Sequence, residues 1–334
     1  MTPGETDRRA LLGRSALLLV LGPALAVAGE IPCFTDAPPD DVKGERKGRH
    51  DHGGFVEEGE DGRRYKRLWL KTDIGRKADH AHAPPPEMTG VFQIDPLGNV
   101  REFPKTSIGH QGLSFPLVDE GFYATYVLQT SVRDDTLVRS VAKSEVLMHS
   151  CRDGRHDRLA VAERIPHHRL AQAPIELIRE RLPQEDFHTE LRSGDELSFI
   201  VLVEGKPTSG ATVRMITGHG WEKTVVSDAE GRAQFLMIRD YFPAWDDFQR
   251  RHREKFLLIA TLDVAEDGVL DGQPYRRSRY QTTLPGSYLP SKSDYASYLI
   301  GLVVGLFALV FTGLAVYLYR RRRLRPFREV PVHG

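Results

Sequence analysis

Apolar and polar residues alternate in short runs along much of the chain, which predicts β-strands rather than long amphipathic helices. The pattern starts with two such runs around the turn sequence Asp95-Pro96-Leu97-Gly98, which together predict a hairpin. Further β-branched and aromatic runs follow, so residues 88–172 are predicted to form a first β domain. Its predicted strands are 91–94, 99–103, 121–129 and 136–148.

Residues 173–285 contain a second series of strand-like runs separated by turns. The segment Asp228-Ala229-Glu230-Gly231 is a tight-turn sequence, and the insert 240–255 is predicted to form one helix across an edge. About six strands at such spacing are typical of an immunoglobulin-like sandwich. The predicted strands are 196–204, 211–217, 221–227, 233–238, 256–264 and 280–284, and 173–182 fits either a strand or a helical turn.

Residues 29–87, before the first β domain, are rich in proline, glycine and histidine. Runs such as Ala83-Pro84-Pro85-Pro86 exclude a helix interior or a central strand, because proline has no backbone donor. We therefore expect an irregular segment, with one strand at 65–72.

Residues 296–319 contain no charged side chain. A helix of this length measures ~36 Å and covers a hydrocarbon core of ~30 Å. Tyrosines lie at both of its ends and the Arg-rich tail 320–334 follows, which places the C-terminus in the cytoplasm. A polar stalk, 286–295, would precede this helix. The predicted fold class is mainly β: two β-sandwich-like domains, the second immunoglobulin-like, plus one C-terminal transmembrane helix.

Within the predicted transmembrane helix, Gly301 and Gly305 are one turn apart. Small residues at this spacing let the backbone of another helix approach closely. The pattern therefore indicates a helix-packing site for a partner helix. The alternative is chance, because glycine is frequent in membrane helices.

Residues 1–28 have the organisation of an export signal peptide. Arg8, Arg9 and Arg14 precede an apolar stretch, and Ala26-Val27-Ala28 is a small-residue cleavage site. The paired arginines fit the twin-arginine route as well as the general one. We expect a single-pass protein of the cell inner membrane, with the bulk of the chain in the periplasm.

Charge and composition narrow the possible partners. Lys plus Arg number 46, as do Asp plus Glu, and 40% of the residues are hydrophobic. This composition is that of a folded protein. Because the C-terminal tail concentrates positive charge, the remainder is mildly acidic, and we expect no nucleic-acid partner.

The sequence has no Gly-rich phosphate loop, nucleophile elbow or zinc-protease histidine pair, so we expect no enzyme. Its two cysteines, Cys33 and Cys151, are expected to form a disulfide in an oxidising compartment. Closing so long a loop stabilises by ~4–5 kcal/mol in the chain-entropy model. The alternative is that Cys151, close to His149, binds a metal as a thiolate.

Histidines are the most suggestive candidate ligands. Two His-x-His triplets, His50 with His52 and His80 with His82, lie in the segment 29–87. In an extended chain, residues two apart point to the same face, so each pair can chelate one divalent transition metal ion. The alternative is that these are solvated loop residues. His149, His156 and His219 are interpreted as ordinary surface residues of β-structure.

Three motif stretches at 191–199, 203–213 and 227–235 carry a family resemblance. They contain Gly-Asp-Glu-Leu, Gly-Lys-Pro-Thr-Ser-Gly-Ala-Thr-Val and Asp-Ala-Glu-Gly. This set resembles a periplasmic family of unknown function found beside nickel and cobalt uptake transporters. The resemblance implies an immunoglobulin-like domain, a membrane anchor and a role in metal uptake. The family's N-terminal histidine has no counterpart here, so its metal ligand is not carried over.

These observations predict a membrane-anchored periplasmic accessory protein of a divalent-metal uptake system, which captures or presents the ion. Nickel or cobalt is favoured by the resemblance, while copper and zinc also suit imidazole ligands. The alternative is a non-catalytic, immunoglobulin-like interaction module tethered to the membrane, in which the histidines are incidental.

Overall fold

A computed structural model of the chain describes residues 31–38, 49–51, 54–71, 88–108, 112–149, 163–183, 185–241 and 253–324. The predicted export signal 1–28, most of the insert 240–255 and the end of the Arg-rich tail lie outside these residues. The strands are β1 (Cys33–Thr35), β2 (Arg49–Asp51), β3 (Gly54–Glu58), β4 (Arg64–Lys71), β5 (Met88–Ile94), β6 (Val100–Phe103), β7 (Leu113–Leu117), β8 (Gly121–Arg133), β9 (Thr136–Met148), β10 (Ile175–Arg179), β11 (Glu196–Val203), β12 (Lys206–Pro207), β13 (Thr212–Thr217), β14 (Glu222–Val226), β15 (Arg232–Leu236), β16 (Glu254–Leu270) and β17 (Gln273–Tyr288), and the helix is α1 (Lys292–Arg323).

An eight-stranded central sheet contains strands from both predicted β domains. Its order is β14-β13-β16-β17-β9-β8-β5-β6. The pairs within each half are antiparallel, but β17 joins β9 in parallel, with Arg277 opposite Thr136 and Thr283 opposite Ala142. The two halves are therefore connected by backbone hydrogen bonds and not only by a linker.

A smaller sheet of β10, β11, β12 and β15 packs against one face of the central sheet. The core between them includes Phe199 and Phe235 from the small sheet and Tyr126, Met215 and Leu258 from the central sheet, all at most 1% exposed. Removing each such side chain from water contributes ~1.5–3 kcal/mol. This packing forms a sandwich to which both predicted β domains contribute, since Tyr126 lies in residues 88–172 and the other four side chains lie in 173–285.

A third sheet, formed by β1, β2, β3, β4 and β7, covers the opposite face of the central sheet. Leu68 and Phe115 of this N-terminal sheet pack on Val91, Val127 and Val146. The segment 29–87 thus provides four described strands where the sequence predicted one. The short strands β1, β2 and β3 are held mainly by pairing with β4 and with one another, so their sequences carry little periodicity of their own.

Strand β8 lies between the two cores, because its side chains alternate between the faces of the sheet. Tyr123 and Val127 belong to the core beneath the N-terminal sheet, whereas Tyr126 and Leu128 belong to the other core. The sheets therefore stack in three layers around β8 and β9. The predicted fold class is confirmed: the protein is mainly β, with sandwich-like sheets and one C-terminal apolar helix.

The hairpin of β16 and β17 extends well past its neighbours. The two strands pair from Glu254 opposite Tyr288 to Leu270 opposite Gln273, whereas β13 accompanies β16 only as far as Thr261. We call the part beyond Thr261 the arm. The sequence predicted shorter strands here, because apolar and polar residues do not alternate regularly along the arm.

Helix α1 begins at Lys292, and only three residues separate it from the end of β17 at Tyr288. The predicted stalk 286–295 is thus reduced to residues 289–291, and these are hydrogen-bonded to the sandwich. Leu289 N donates to Leu191 O at 2.8 Å, and Ser291 N donates to Ser193 Oγ at 2.7 Å. Within the described residues, one helix is long and apolar enough to cross a membrane, at Leu299–Arg323.

Candidate functional site

A cleft of about 460 Å³ lies at the end of the central sheet from which α1 leaves. Its walls come from β1, β4, β9, the loop 185–191 and the last residues of β17. Pro285, Ser287 and Leu289 line it, and Leu289 is three residues before the start of α1. Any ligand in this cleft is therefore held close to the base of the helix.

Two histidines from distant parts of the chain meet in this cleft. His149 directly follows β9 and is 7% exposed, while His188 lies in the loop 185–191 and is exposed. Their ring centres are 5.0 Å apart with the ring planes at 90°. The interpretation of His149 as a surface residue was wrong, because the loop 185–191 covers the end of β9.

The loop that carries His188 is held by a compact set of hydrogen bonds. The carboxylate of Asp186 accepts from His188 N at 2.9 Å and from Thr189 Oγ1 at 2.8 Å. The hydrogen bond from Thr189 is the largest influence on Asp186 and lowers the pKa of this carboxyl. The backbone of His188 is thus fixed by its own turn.

Each of the four carboxylates that line the cleft has a cationic partner. Arg179 binds Glu185 through two contacts of 2.8 and 2.5 Å. The other pairs are Glu190 with Arg253 at 3.0 Å, Asp36 with Lys255, and Glu145 with Lys143 at 3.2 Å. Burial acts to raise the pKa of Glu185, but the hydrogen bond and charge of Arg179 outweigh it and the pKa is lowered. These carboxylates stabilise the walls.

Lys66 of β4 also lines the cleft and is 1% exposed. Burial lowers its pKa to about 8, although attraction to Asp36 opposes this change. Burial acts to raise the pKa of Asp36, but attraction to Lys255 and a hydrogen bond from it lower that pKa instead. Lys66 is therefore the lining residue whose charge responds to mildly alkaline pH.

A buried chain of charged groups lies behind the cleft, between β9 and β10. Lys143 Nζ contacts Glu176 Oε1 at 2.9 Å, and Tyr126 donates to the same oxygen at 2.7 Å. Glu145 also contacts His167 Nδ1 at 2.9 Å. Burial acts to raise the pKa of Glu145, but His167 and Lys143 hold it well below its ordinary value. This network joins the two halves of the molecule.

The predicted site residues are only partly within the described residues. The backbone of His50 lies in β2, whereas His52, His80, His82 and Cys151 fall outside the described residues. Cys33 is buried in β1, where its strand pairs with β4. Gly301 and Gly305 lie in α1.

In the part of the chain that the structure describes, no three His, Cys, Asp or Glu side chains converge on a common point. The pairing of His149 with His188 was not predicted, since nothing in their spacing indicates it. Lys66 and Lys143 were not predicted either. A lysine inside an apolar strand was the available signal, as in the run Val141-Ala142-Lys143-Ser144.

Comparison with known proteins adds little to this picture. No family model matches the chain. The curated proteins contain no match either. Among solved structures, the chain is similar to a segment of two fibronectin type-III domains from chicken tenascin, with 9% identity over 70% of this chain and 97% of that chain, and a TM-score of 0.18.

Proposed function

We propose that this chain is a membrane-anchored, non-catalytic accessory protein that captures a divalent transition metal outside the cytoplasm and presents it to an uptake transporter. Helix α1 serves as the anchor, and the Arg-rich tail lies in the cytoplasm. Nickel or cobalt is the favoured cargo, on the resemblance of the motifs in 191–235. Copper and zinc are the other candidates.

The observation that carries this proposal is the position of the histidine-lined cleft beside the base of α1. The last residues of β17 line the cleft, and residues 289–291 are the only connection to the helix. Because hydrogen bonds fix this connection, the cleft keeps its place relative to the start of the helix. An ion released from the cleft would reach a neighbouring transporter without crossing the periplasm.

The His-x-His triplets supply a second reason for a metal function. His50 and His52, and His80 and His82, would collect the ion before it reaches the cleft. Imidazole nitrogen is a ligand that suits nickel, cobalt, copper and zinc.

Metal accumulation by cells tests this function directly. Cells that carry the chain and cells from which it is deleted would be grown in limiting nickel or cobalt, and the metal per cell measured by mass spectrometry. We expect deletion to lower accumulation, and the full chain to restore it. A form ending at residue 291 should restore less, because it is not anchored. Equal accumulation of nickel, cobalt, copper and zinc in both strains would exclude the proposal.

A second function, that of a protein-interaction module, is favoured by the arm of β16 and β17. The arm exposes Val264 and Val269, the latter 68% exposed, at the end of the hairpin away from α1. Beyond Thr261, β16 has backbone groups that β13 does not pair. Exposed strand edges of this kind accept a further strand from a partner. Deleting residues 264–277 would then remove the partner and leave metal accumulation unchanged.

A further inference from the structure

We infer that His149 and His188 form a two-imidazole site for a divalent transition metal ion at the mouth of the cleft. The site uses histidines other than those of the His-x-His triplets. It rests on the proposed function and gives that function a second metal position, next to the membrane helix.

The separation of the two rings fits a shared ion. A zinc-type ion binds an imidazole nitrogen at about 2.1 Å, which puts each ring centre roughly 3.2 Å from the metal. Two ring centres 5.0 Å apart then subtend an angle of roughly 100° at the ion, close to the tetrahedral value. The ring separation is thus compatible with a shared ion once a nitrogen of each ring turns toward it.

The two ligands are also held in place before the ion arrives. His149 is fixed by burial at the end of β9, and the backbone of His188 by the carboxylate of Asp186. Holding ligands in place in advance reduces the ordering cost of binding. The site itself is open to solvent, because His188 is exposed and the cleft is continuous with solvent.

The charges around the site indicate which ligands complete it. The carboxylates of Asp36, Glu145, Glu185 and Glu190 are engaged by Lys or Arg, so they are poor candidates for direct coordination. The remaining coordination positions would therefore be filled by water or by a small anion carried with the metal. Such an open site suits an ion that must be passed on, because transporter groups can replace the water.

Titration calorimetry of the full chain in detergent micelles tests the site, with Ni²⁺ and Zn²⁺ as probes. Four variants are compared with the native chain. These are His188→Ala, the double variant His149→Ala/His188→Ala, the quadruple variant with His50, His52, His80 and His82 changed to Ala, and His219→Ala. His219 is the matched control, because it contacts Glu254 at 2.9 Å and stacks on Tyr241, and it does not line the cleft.

We expect the quadruple variant to keep the cleft site. His188→Ala should weaken the metal affinity of that site by about tenfold or more, since loss of an outer-shell partner alone has that effect. His188 is exposed, so this variant should fold as the native chain does, which circular dichroism checks. Co²⁺ absorption in the visible range should show nitrogen ligands in the quadruple variant, and these should be lost when His149→Ala/His188→Ala is added to it.

Each of the other outcomes has a definite meaning. If the double variant keeps the same number of metal-binding sites as the native chain, the cleft site does not exist. If only the quadruple variant loses binding, the cleft site is excluded and the proposed function survives through the triplets. If the native chain binds no metal tighter than ~100 μM, a free energy near −5.5 kcal/mol, the cleft site and the proposed capture function both fail.

Discussion

Lys66 shows how a single buried charge makes stability depend on pH. Its pKa is about 8 in the native chain, where burial is the main cause, against 10.5 for an unperturbed lysine. Between these values the unfolded chain binds a proton that the native chain does not, so the native state gains stability as pH rises. Below pH 8 the lysine is protonated in both states, so the native state is destabilised by the whole net free energy of burying the ammonium group.

Replacing Lys66 with Met should therefore stabilise the protein at pH 7. At ~1.4 kcal/mol per pKa unit, the change from 10.5 to about 8 limits the gain to about 3 kcal/mol. The gain should shrink as pH rises from 8 to 10.5. Urea unfolding followed by tryptophan fluorescence measures it, with exposed Lys105→Met as the control. A loss of stability at pH 7 would show that the ammonium group is held by favourable contacts.

Lys143 is the opposite case, since its pKa is raised although it is fully buried. Burial acts to lower this pKa, but the charges of Glu176 and Glu145 outweigh it. Lys143→Met should destabilise the protein by about 3–5 kcal/mol, because it leaves buried carboxylates without their cation. In the same unfolding assay, Arg279→Met removes a partly exposed pair with Asp263 and should cost less than about 1 kcal/mol. Similar losses of unfolding free energy in both variants would contradict the structural role of the buried network of Lys143, Glu145 and Glu176.

The residue scale also shows what sequence reasoning could not reach. Lys143 and Glu145 were counted as ordinary positions of a strand, and their partner Glu176 lies on a different strand. The meeting of His149 with His188 depends on how the loop 185–191 folds over the end of β9. Such contacts are set by tertiary packing, so no local pattern records them.

At the scale of elements, turns were predictable where their chemistry is local. The hairpin of β5 and β6 was predicted from its turn sequence and is present. Asp95 Oδ1 accepts from Leu97 N and Asn99 N, both at 2.9 Å, and Gly98 has a φ of 86°. The turn at 228–231 was predicted too. However, β14 and β15 on either side of it belong to different sheets, which local sequence does not reveal.

In the arm of β16 and β17, the predicted strands were too short although the sequence contains a local turn signal. Its strands were predicted to end near 264 and to resume at 280, because amphipathic alternation stops there. The dipeptide Asp271-Gly272 has φ values of 49° and 80°, as expected of a type I′ hairpin turn. That dipeptide was the local signal that predicts the longer hairpin.

Gly231 gives a test of how strictly the turn between β14 and β15 is packed. Its φ is 77°, and an added Cβ would lie 2.8 Å from Thr208 N and 3.0 Å from Val201 O. Gly210 has a similar φ of 80° but open space around it. Gly210→Ala should cost about 1–2 kcal/mol from backbone strain alone, and Gly231→Ala clearly more. Equal losses in thermal unfolding would mean that the backbone relaxes around the added methyl group.

At the scale of the whole molecule, the parallel pairing of β9 with β17 could not be predicted from the sequence. The paired segments begin at Thr136 and Arg277 and belong to different predicted domains. Contacts between residues so distant in the chain form at a high entropic cost and leave no periodic signature. Because of this pairing, the cleft, β17 and α1 form one continuous unit.

Helix α1 leaves that unit with apolar side chains exposed on all sides, as a helix surrounded by lipid requires. In this chain an added Cβ on Gly301, Gly305 or Gly313 would meet nothing within 4 Å. Bulky residues at these positions should therefore leave the fold of the chain itself unchanged. Any effect of these substitutions on partner binding would therefore come from contact with a partner helix. The three glycines can be compared with one another, because an added Cβ is accommodated at each of them.

We predict that Gly301→Ile combined with Gly305→Ile separates the chain from the transporter subunit that we propose as its partner. Two isoleucines one turn apart would fill the strip against which the partner backbone packs. Loss of this close packing should lower recovery of the partner roughly tenfold, which corresponds to about 1.4 kcal/mol of contact energy. Gly313 is about 12 Å along the helix from Gly305 and about 80° around it, so Gly313→Ile should leave recovery unchanged. The measurement is the amount of transporter subunit that co-purifies with each full-length variant from detergent-solubilised membranes. Equal recovery with all variants would mean that the sandwich, and not the helix, holds the partner.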